Sequence, residues 1–294
     1  MKFTAVFLLA VVGLSPVLAE DQAWNYLGET PPGDTPKLFP FPTSPGFFAA
    51  ERIAISLDRR SIYYTELNGY NAQMVSRLLM LTWDGAKWSK PALVCSDPGL
   101  LAPAFAPGET RLLLDGKITE YHADGWSKPV SFRSGEKCHY LHQTKSGRLY
   151  FSVANKNETE WDLVRAAQPG SGAADEKLGL NLAMHPAFGG WDMDFFIAPD
   201  ESYAILMLTG ARDFPCAGNA DLFIAFHRSD GSWTKPVTLG AAINRPNPKE
   251  WRWGPYVTDD GRYLFFSVVG EQNDPHICWV RFDRLRERLE RESR

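Results

Sequence analysis

Apolar and aromatic runs of four to eight residues alternate with polar turns along most of the chain, and one turn-plus-strand unit recurs. It appears as SLDRRSIYY at Ser56 to Tyr64, APGETRLLL at Ala106 to Leu114, TKSGRLYFS at Thr144 to Ser152, APDESYAIL at Ala198 to Leu206 and TDDGRYLFF at Thr258 to Phe266. The Asp, Gly and Pro centres suit tight hairpins, and the branched and aromatic residues that follow suit buried strands. The copies start about 38 to 60 residues apart, enough for one four-stranded sheet per repeat with loops of varying length.

A second pattern lies downstream of three of those turns: DGAKWSKP at Asp84 to Pro91, DGWSKP at Asp124 to Pro129 and DGSWTKP at Asp230 to Pro236. It reads as another hairpin leading to an outer strand, where Pro is tolerated because no neighbour needs its missing N–H. Together the two patterns describe an all-β chain, a single β-propeller of about five four-stranded blades with a sixth allowed. The blades fall at about 49–96, 97–134, 135–182, 183–243 and 244–285. Lys37 to Phe48 supplies an outer strand beside Ile277 to Phe282 that would close the ring, which matters because open sheet edges invite aggregation.

The turn-plus-strand repeats resemble the WD-repeat-like β-propeller motif of TolB-type proteins. A closer resemblance is to secreted bacterial propellers that begin with a segment like YLGETPPGDTP, here Tyr26 to Pro36, and carry a late block like Ala220 to Asn244. The resemblance spans nearly all of the chain after its first residues. It implies the fold and says little about activity, since such propellers serve as binding platforms, scaffolds and enzymes. Three copies depart from the usual Ser-Pro-Asp-Gly turn: Asp58 lacks the Gly, Pro107-Gly108 lacks the Asp, and Asp200 is followed by Glu201.

At the N-terminus, Lys2, the apolar run Phe3 to Leu14 and the small residues before Glu20 read as a secretory signal over 1–19. A short extension (20–36), the propeller (37–285) and a charged tail (286–294), helical or frayed, would follow. The expected location is periplasmic or extracellular, as a monomer. The net charge of −4 and scattered Lys and Arg argue against nucleic acid, and no later run reaches the length of a membrane span. In an oxidising compartment Cys95, Cys138, Cys216 and Cys278 are free to form disulfides, with three pairings open.

Propellers place ligand chemistry at a funnel mouth, where inner strands begin and loops converge. That phase nominates Glu51 and Arg52, His139 and Tyr140, Asp192 and Asp194, and Glu250, Arg252 and Trp253; the second blade offers only apolar Leu100 to Phe105. Facing loops add Asn68, Tyr70, 155–160, Arg212, Asp213 and 271–276. Asp192 and Asp194, two apart on a strand, point the same way; either one caps a turn while the other pairs with Arg52 or Arg252, the leading reading, or the two form an acid pair or a calcium site. With Glu51 they are the catalytic candidates, in the two-carboxylate arrangement of a glycoside hydrolase.

Arg52, His139, Tyr140, Arg252 and Trp253 are the ligand-binding candidates, since indole and guanidinium stack on sugars and grip carboxylates. His139 and His142, three apart on a strand, are expected on opposite faces, with His142 a satisfied core residue. No familiar hydrolase or phosphate-binding motif occurs, and no organic cofactor is expected. The leading expectation is therefore a binding or protein-interaction propeller for a glycan, peptide or protein; the alternative is a hydrolase or lyase acting on carbohydrate.

Overall fold

The computed structural model describes residues 26–70, 72–97, 99, 101–154, 161–168, 170–180, 194–209, 220–244, 250–269 and 275–293. The expected signal segment, Cys216, Asp192, Arg212, Asp213, 155–160 and 271–274 lie outside them. Residues 26–30 make one turn, closed by the Glu29 N–H on the Tyr26 carbonyl at 2.8 Å, and the fold proper runs from Pro31.

Strand β1 (Lys37–Leu38) precedes a first sheet of β2 (Phe48–Ile55), β3 (Ser61–Leu67), β4 (Ser76–Thr82) and β5 (Ala92–Asp97). The second holds β6 (Ala104–Phe105), β7 (Arg111–Leu113), β8 (Lys117–His122), β9 (Gly125–Trp126) and β10 (Val130–Ser131). The third holds β11 (Cys138–Gln143), β12 (Leu149–Ala154), β13 (Trp161–Arg165) and β14 (Glu176–Lys177). A fourth group, β15 (Phe195–Ile197), β16 (Tyr203–Thr209), β17 (Ala220–Phe226) and β18 (Val237–Thr238), meets a fifth, β19 (Trp251–Val257), β20 (Tyr263–Val269) and β21 (His276–Arg281). A single parallel pair, Ala220 with Trp251, joins these last two groups into one sheet.

Every recurrent turn is the hairpin between the first two strands of its group. The N–H groups of Ser56, Ala106, Thr144, Ala198 and Thr258 donate across the turn to the carbonyls of Ser61, Arg111, Arg148, Tyr203 and Tyr263 at 2.9 to 3.0 Å. The Trp-Pro patterns make the hairpin that follows the third strand of three groups: Trp83 pairs with Trp88, Tyr121 with Trp126 and His227 with Trp233. Of the expected N-terminal strand Lys37 and Leu38 pair with Trp279 and Cys278 of β21, and the Phe39 N–H adds a bond to the Ile277 carbonyl at 2.8 Å. Innermost strands touch in succession: β2 with β6, β6 with β11, β11 with β15, β15 with β19, and β19 with β2.

The turns that depart from the Asp-Gly pattern have a physical explanation. Gly147 and Gly261 take positive φ in the third and fifth hairpins, and Arg59 (φ 57°), Glu109 (φ 55°, next to Gly108 at φ 84°) and Glu201 (φ 62°) take it in the other three. A side chain there costs about 1 kcal/mol or more. Each of the three reaches a neighbouring hairpin. Arg59 pairs with Asp259 at 3.1 Å, Glu109 Oε1 accepts the Leu57 N–H at 2.6 Å, and Glu201 Oε1 accepts the Thr144 hydroxyl at 2.7 Å. The strain is offset by contacts between groups that glycine would forfeit.

The charged C-terminal segment is helix α1 (Asp283–Ser293), the short charged helix that its Arg, Leu and Glu pattern allows, and it buries Leu289 in the core shared by the fourth and fifth groups. Among the described residues no helix is long and apolar enough to cross a membrane. Among the described residues Cys95, on β5, and Cys138, on β11, are free thiols.

Candidate functional site

Three inner strands are bulged near the axis. The register slips between Ala50 and Ala54 in β2, between His139 and His142 in β11, and between Trp253 and Tyr256 in β19. At these slips Glu51 (φ 73°), Tyr140 (φ 52°) and Gly254 (φ 61°) take left-handed backbone, as does Ala102 (φ 33°) just ahead of β6. A bulge re-aims a side chain that regular pleating would send elsewhere. Gly254 is required for a second reason: a Cβ there would lie 2.8 Å from Arg52 N and from Glu51 C.

The re-aimed groups meet. Glu51, 2 % exposed, accepts the Tyr70 hydroxyl at 2.7 Å and the Trp253 indole N–H at 3.0 Å on Oε1, and the Tyr140 hydroxyl at 2.5 Å on Oε2. The Tyr140 hydroxyl and the Gly254 N–H also stand near the Asp194 carboxyl and favour its charged form. Burial pushes Asp194 well above the usual carboxylate range, with the charges of Glu51 and Asp115 adding to it. Burial raises Glu51 too, against the pull of its three donors. The site therefore pairs two buried carboxyls, both raised by burial, one of which, Glu51, is held by three donors.

Asp115, in the turn after β7, extends the cluster. Its Oδ1 lies 2.6 Å from His139 Nδ1 and accepts the Tyr140 backbone N–H at 3.2 Å, while the His139 ring stands edge-on to Trp161 at 4.3 Å. The site is thus assembled from all five groups of strands: Glu51 and Tyr70, Asp115, His139 and Tyr140, Asp194, and Trp253 with Gly254. Asp115 went unpredicted because Asp-Gly reads as an ordinary hairpin turn and the second blade looked apolar at its strand start.

The arginines and Trp253 take internal roles in place of the expected ligand-binding ones. Arg52, fully buried, donates to the carbonyls of Leu141 at 2.8 Å, Ala102 at 2.9 Å, Pro103 at 3.2 Å and Phe195 at 3.5 Å. It pins the second, third and fourth groups to the first, and burial lowers its pKa to about 10. Arg252 is enclosed by Asp221 at 3.2 Å and by Glu250. Trp253 packs in the core with its N–H committed to Glu51, and Tyr140 is wholly buried.

Of the predicted binding residues His139 keeps a solvent-facing edge, its side chain 20 % exposed, and Tyr70 presents a half-exposed ring with its hydroxyl turned inward. The bulge also corrects the histidine geometry. His139 and His142 oppose Ser152 and Tyr150, two apart on β12, so both stand on the same face of the sheet. They serve different ends of the axis: His139 meets Asp115 and Trp161, and His142 meets Phe195 and Phe196. Among the described residues no group of three or more His, Cys, Asp or Glu is arranged to hold a metal ion.

No protein-family model matches the sequence, and no curated protein is similar to it. Among solved structures the chain is similar to the catalytic domain of the GH62 α-L-arabinofuranosidase of Coprinopsis cinerea, with 9 % identity and a TM-score of 0.51 over 87 % of this chain and 99 % of that one. It is also similar to a structure assigned as TolB from Agrobacterium tumefaciens, with 12 % identity and a TM-score of 0.40 over 80 % and 90 %. A third, assigned as a 6-phosphogluconolactonase from Bacteroides uniformis, has 14 % identity and a TM-score of 0.38 over 77 % of this chain. The chain spans 66 % of that last structure's length. The likeness is one of fold: an all-β, multi-sheet chain of the propeller type.

Proposed function

We propose that the protein is a single five-bladed β-propeller, closed by β1 beside β21, that works outside the cytoplasm and binds a hydroxyl-rich ligand, a glycan, at the mouth ringed by Tyr70, His139 and Asp115. The succession of contacts among β2, β6, β11, β15 and β19 supports the blade count. The observation that carries the binding reading is the convergence of Glu51, Asp115, His139, Tyr140 and Asp194 from four separate groups of strands on one axial point. Strained backbone is kept where it serves such a point. The half-exposed Tyr70 ring offers a stacking face, and the His139–Asp115 pair offers directional hydrogen bonds to hydroxyls.

Calorimetric titration with arabino-, xylo- and gluco-oligosaccharides tests this reading. Binding should weaken by about ten-fold or more in Tyr70→Ala and in His139→Ala, a loss equivalent to about one good contact, with both variants still folded and Tyr70→Ala lowered in thermal midpoint by the lost bond to Glu51. Failure of the whole panel to bind, or unaltered affinity in both variants, contradicts it.

A second reading, a carbohydrate-active hydrolase, is favoured by one feature. Two buried carboxyls, Glu51 and Asp194, flank the Tyr140 hydroxyl, and the charge of Glu51 helps to raise Asp194. A retaining glycosidase uses such a pair, one as acid and one as nucleophile, about 5 to 5.5 Å apart. Here Asp194 would hold the proton for the leaving group and Glu51 would be the nucleophile. Turnover of nitrophenyl glycosides that disappears in both Glu51→Gln and Asp194→Asn would replace the first reading with this one.

A further inference from the structure

Arg52 divides the axis. On the side away from Glu51 the C-terminal halves of the inner strands enclose a cavity of about 310 Å³. That volume falls at the small end of the range for ligand pockets. Phe105, Phe196 and Tyr256 form its walls, with Ala54 and Ala104 between them. Of the charged groups lining it, Arg52 donates to backbone carbonyls, Glu109 accepts the Leu57 N–H and Asp259 pairs with Arg59, while Lys145 adds a further cation.

One polar side chain faces this apolar space without a hydrogen-bond partner. His142 lines the cavity, is 7 % exposed, and neither Nδ1 nor Nε2 is hydrogen-bonded, the Ile197 backbone standing near without meeting the geometry of a bond. An unmade buried hydrogen bond costs about 1 to 3 kcal/mol, so such a group in a cavity points to a missing partner. Burial and the nearby Arg52 charge hold the imidazole pKa down to about 3. The ring is therefore neutral under ordinary conditions and presents one donor and one acceptor. Water alone is a poor occupant, because a buried water needs two to four polar partners and these walls are mostly aromatic and aliphatic.

We propose that this cavity is a second binding site, distinct from the mouth, for a small uncharged molecule consisting of a flat apolar ring and one hydroxyl, a phenol. The ring lies among Phe105, Phe196 and Tyr256, and the hydroxyl bonds to His142. A charged ligand is disfavoured by the apolar walls, and a polyol would leave hydroxyls without partners.

The test is titration of the full chain with p-cresol and with toluene, following the His142 and His139 imidazole resonances by NMR. The site predicts that p-cresol shifts His142 and leaves His139 in place, and that toluene binds about ten-fold more weakly, the equivalent of one hydrogen bond. His142→Phe should bring p-cresol down to the affinity of toluene, and Ala104→Leu, which fills the cavity, should abolish both. The proposal is overturned if p-cresol leaves His142 unshifted, if toluene binds as well as p-cresol, or if binding persists in a folded Ala104→Leu variant. Should Ala104→Leu fail to fold, the comparison of p-cresol with toluene in His142→Phe decides alone, equal affinities supporting the site and an undiminished preference for p-cresol refuting it.

Discussion

The Tyr140 hydroxyl donates to Glu51 Oε2 at 2.5 Å and stands near Asp194, so one phenol lies between two buried carboxyls that come from different sheets. The arrangement exists because Glu51 and Tyr140 both occupy left-handed backbone at bulges, which turns their side chains toward one another. Its energetic logic is that of a buried polar network, which is stable when every member is satisfied and costly when one is removed.

Tyr140→Phe removes that hydroxyl while keeping the ring. It should destabilise the fold by about 1 to 3 kcal/mol, the cost of leaving buried acceptors unmet. With one of its three donors gone, Glu51 should titrate higher still. Urea unfolding and carboxyl-labelled NMR titration read the two effects separately.

Gly254→Ala should be among the most damaging single substitutions in the chain. The added Cβ meets Arg52 N and Glu51 C at 2.8 Å with φ at 61°, so backbone must move, and a loss above about 3 kcal/mol is expected. Gly231→Ala is the control: φ is 85° with nothing within 4 Å, so only the conformational penalty of about 1 kcal/mol applies. Equal urea midpoints for the two variants would contradict the close approach of β19 to β2.

Arg52→Lys keeps the charge and loses the fork that reaches four carbonyls. A loss of about 3 to 5 kcal/mol is expected, as for a buried charge stripped of partners. Denaturation monitored by Trp fluorescence measures it.

Stability should depend on pH in two opposite ways. Asp194 is raised in the fold, so its contribution is fully present below the ordinary value of 3.8 and is lost as pH climbs through the folded value. Glu201 runs the other way. Burial would raise it, but donors Ser146, Thr144 and Arg148 outweigh burial and hold it at about 2, so its contribution is present above the ordinary 4.5 and lost as pH falls toward 2. Urea midpoints from pH 3 to 8 should therefore lose their decline toward neutrality in Asp194→Asn and lose part of their acid limb in Glu201→Gln.

The repeats were legible because each hairpin repeats its own local chemistry: the Ser56, Ala106, Thr144, Ala198 and Thr258 turns and the Trp88, Trp126 and Trp233 hairpins all fall where periodicity puts them. The pairing of Lys37 and Leu38 with β21 was legible for the same reason. What escaped were features made by tertiary contact. No local signal marks Glu51 or Tyr140 for positive φ, since non-glycine residues take it only when surrounding structure compels them. Without those bulges the two-residue period puts His139 and His142 on opposite faces. Arg52 and Arg252 looked like binders because guanidinium is rarely buried, and here carbonyls in one case and carboxylates in the other make burial tolerable. Arg59, Glu109 and Glu201 looked like degenerate turns until their partners in adjacent hairpins were seen.

The most direct measurement of the central claim is an NMR titration of imidazole-labelled protein with arabino-, xylo- and gluco-oligosaccharides. A glycan-binding mouth predicts that at least one of them shifts His139 saturably, leaves His142 unmoved, and loses this effect in Tyr70→Ala. A panel that leaves His139 unshifted, or a saccharide that shifts His142 alone, would contradict it.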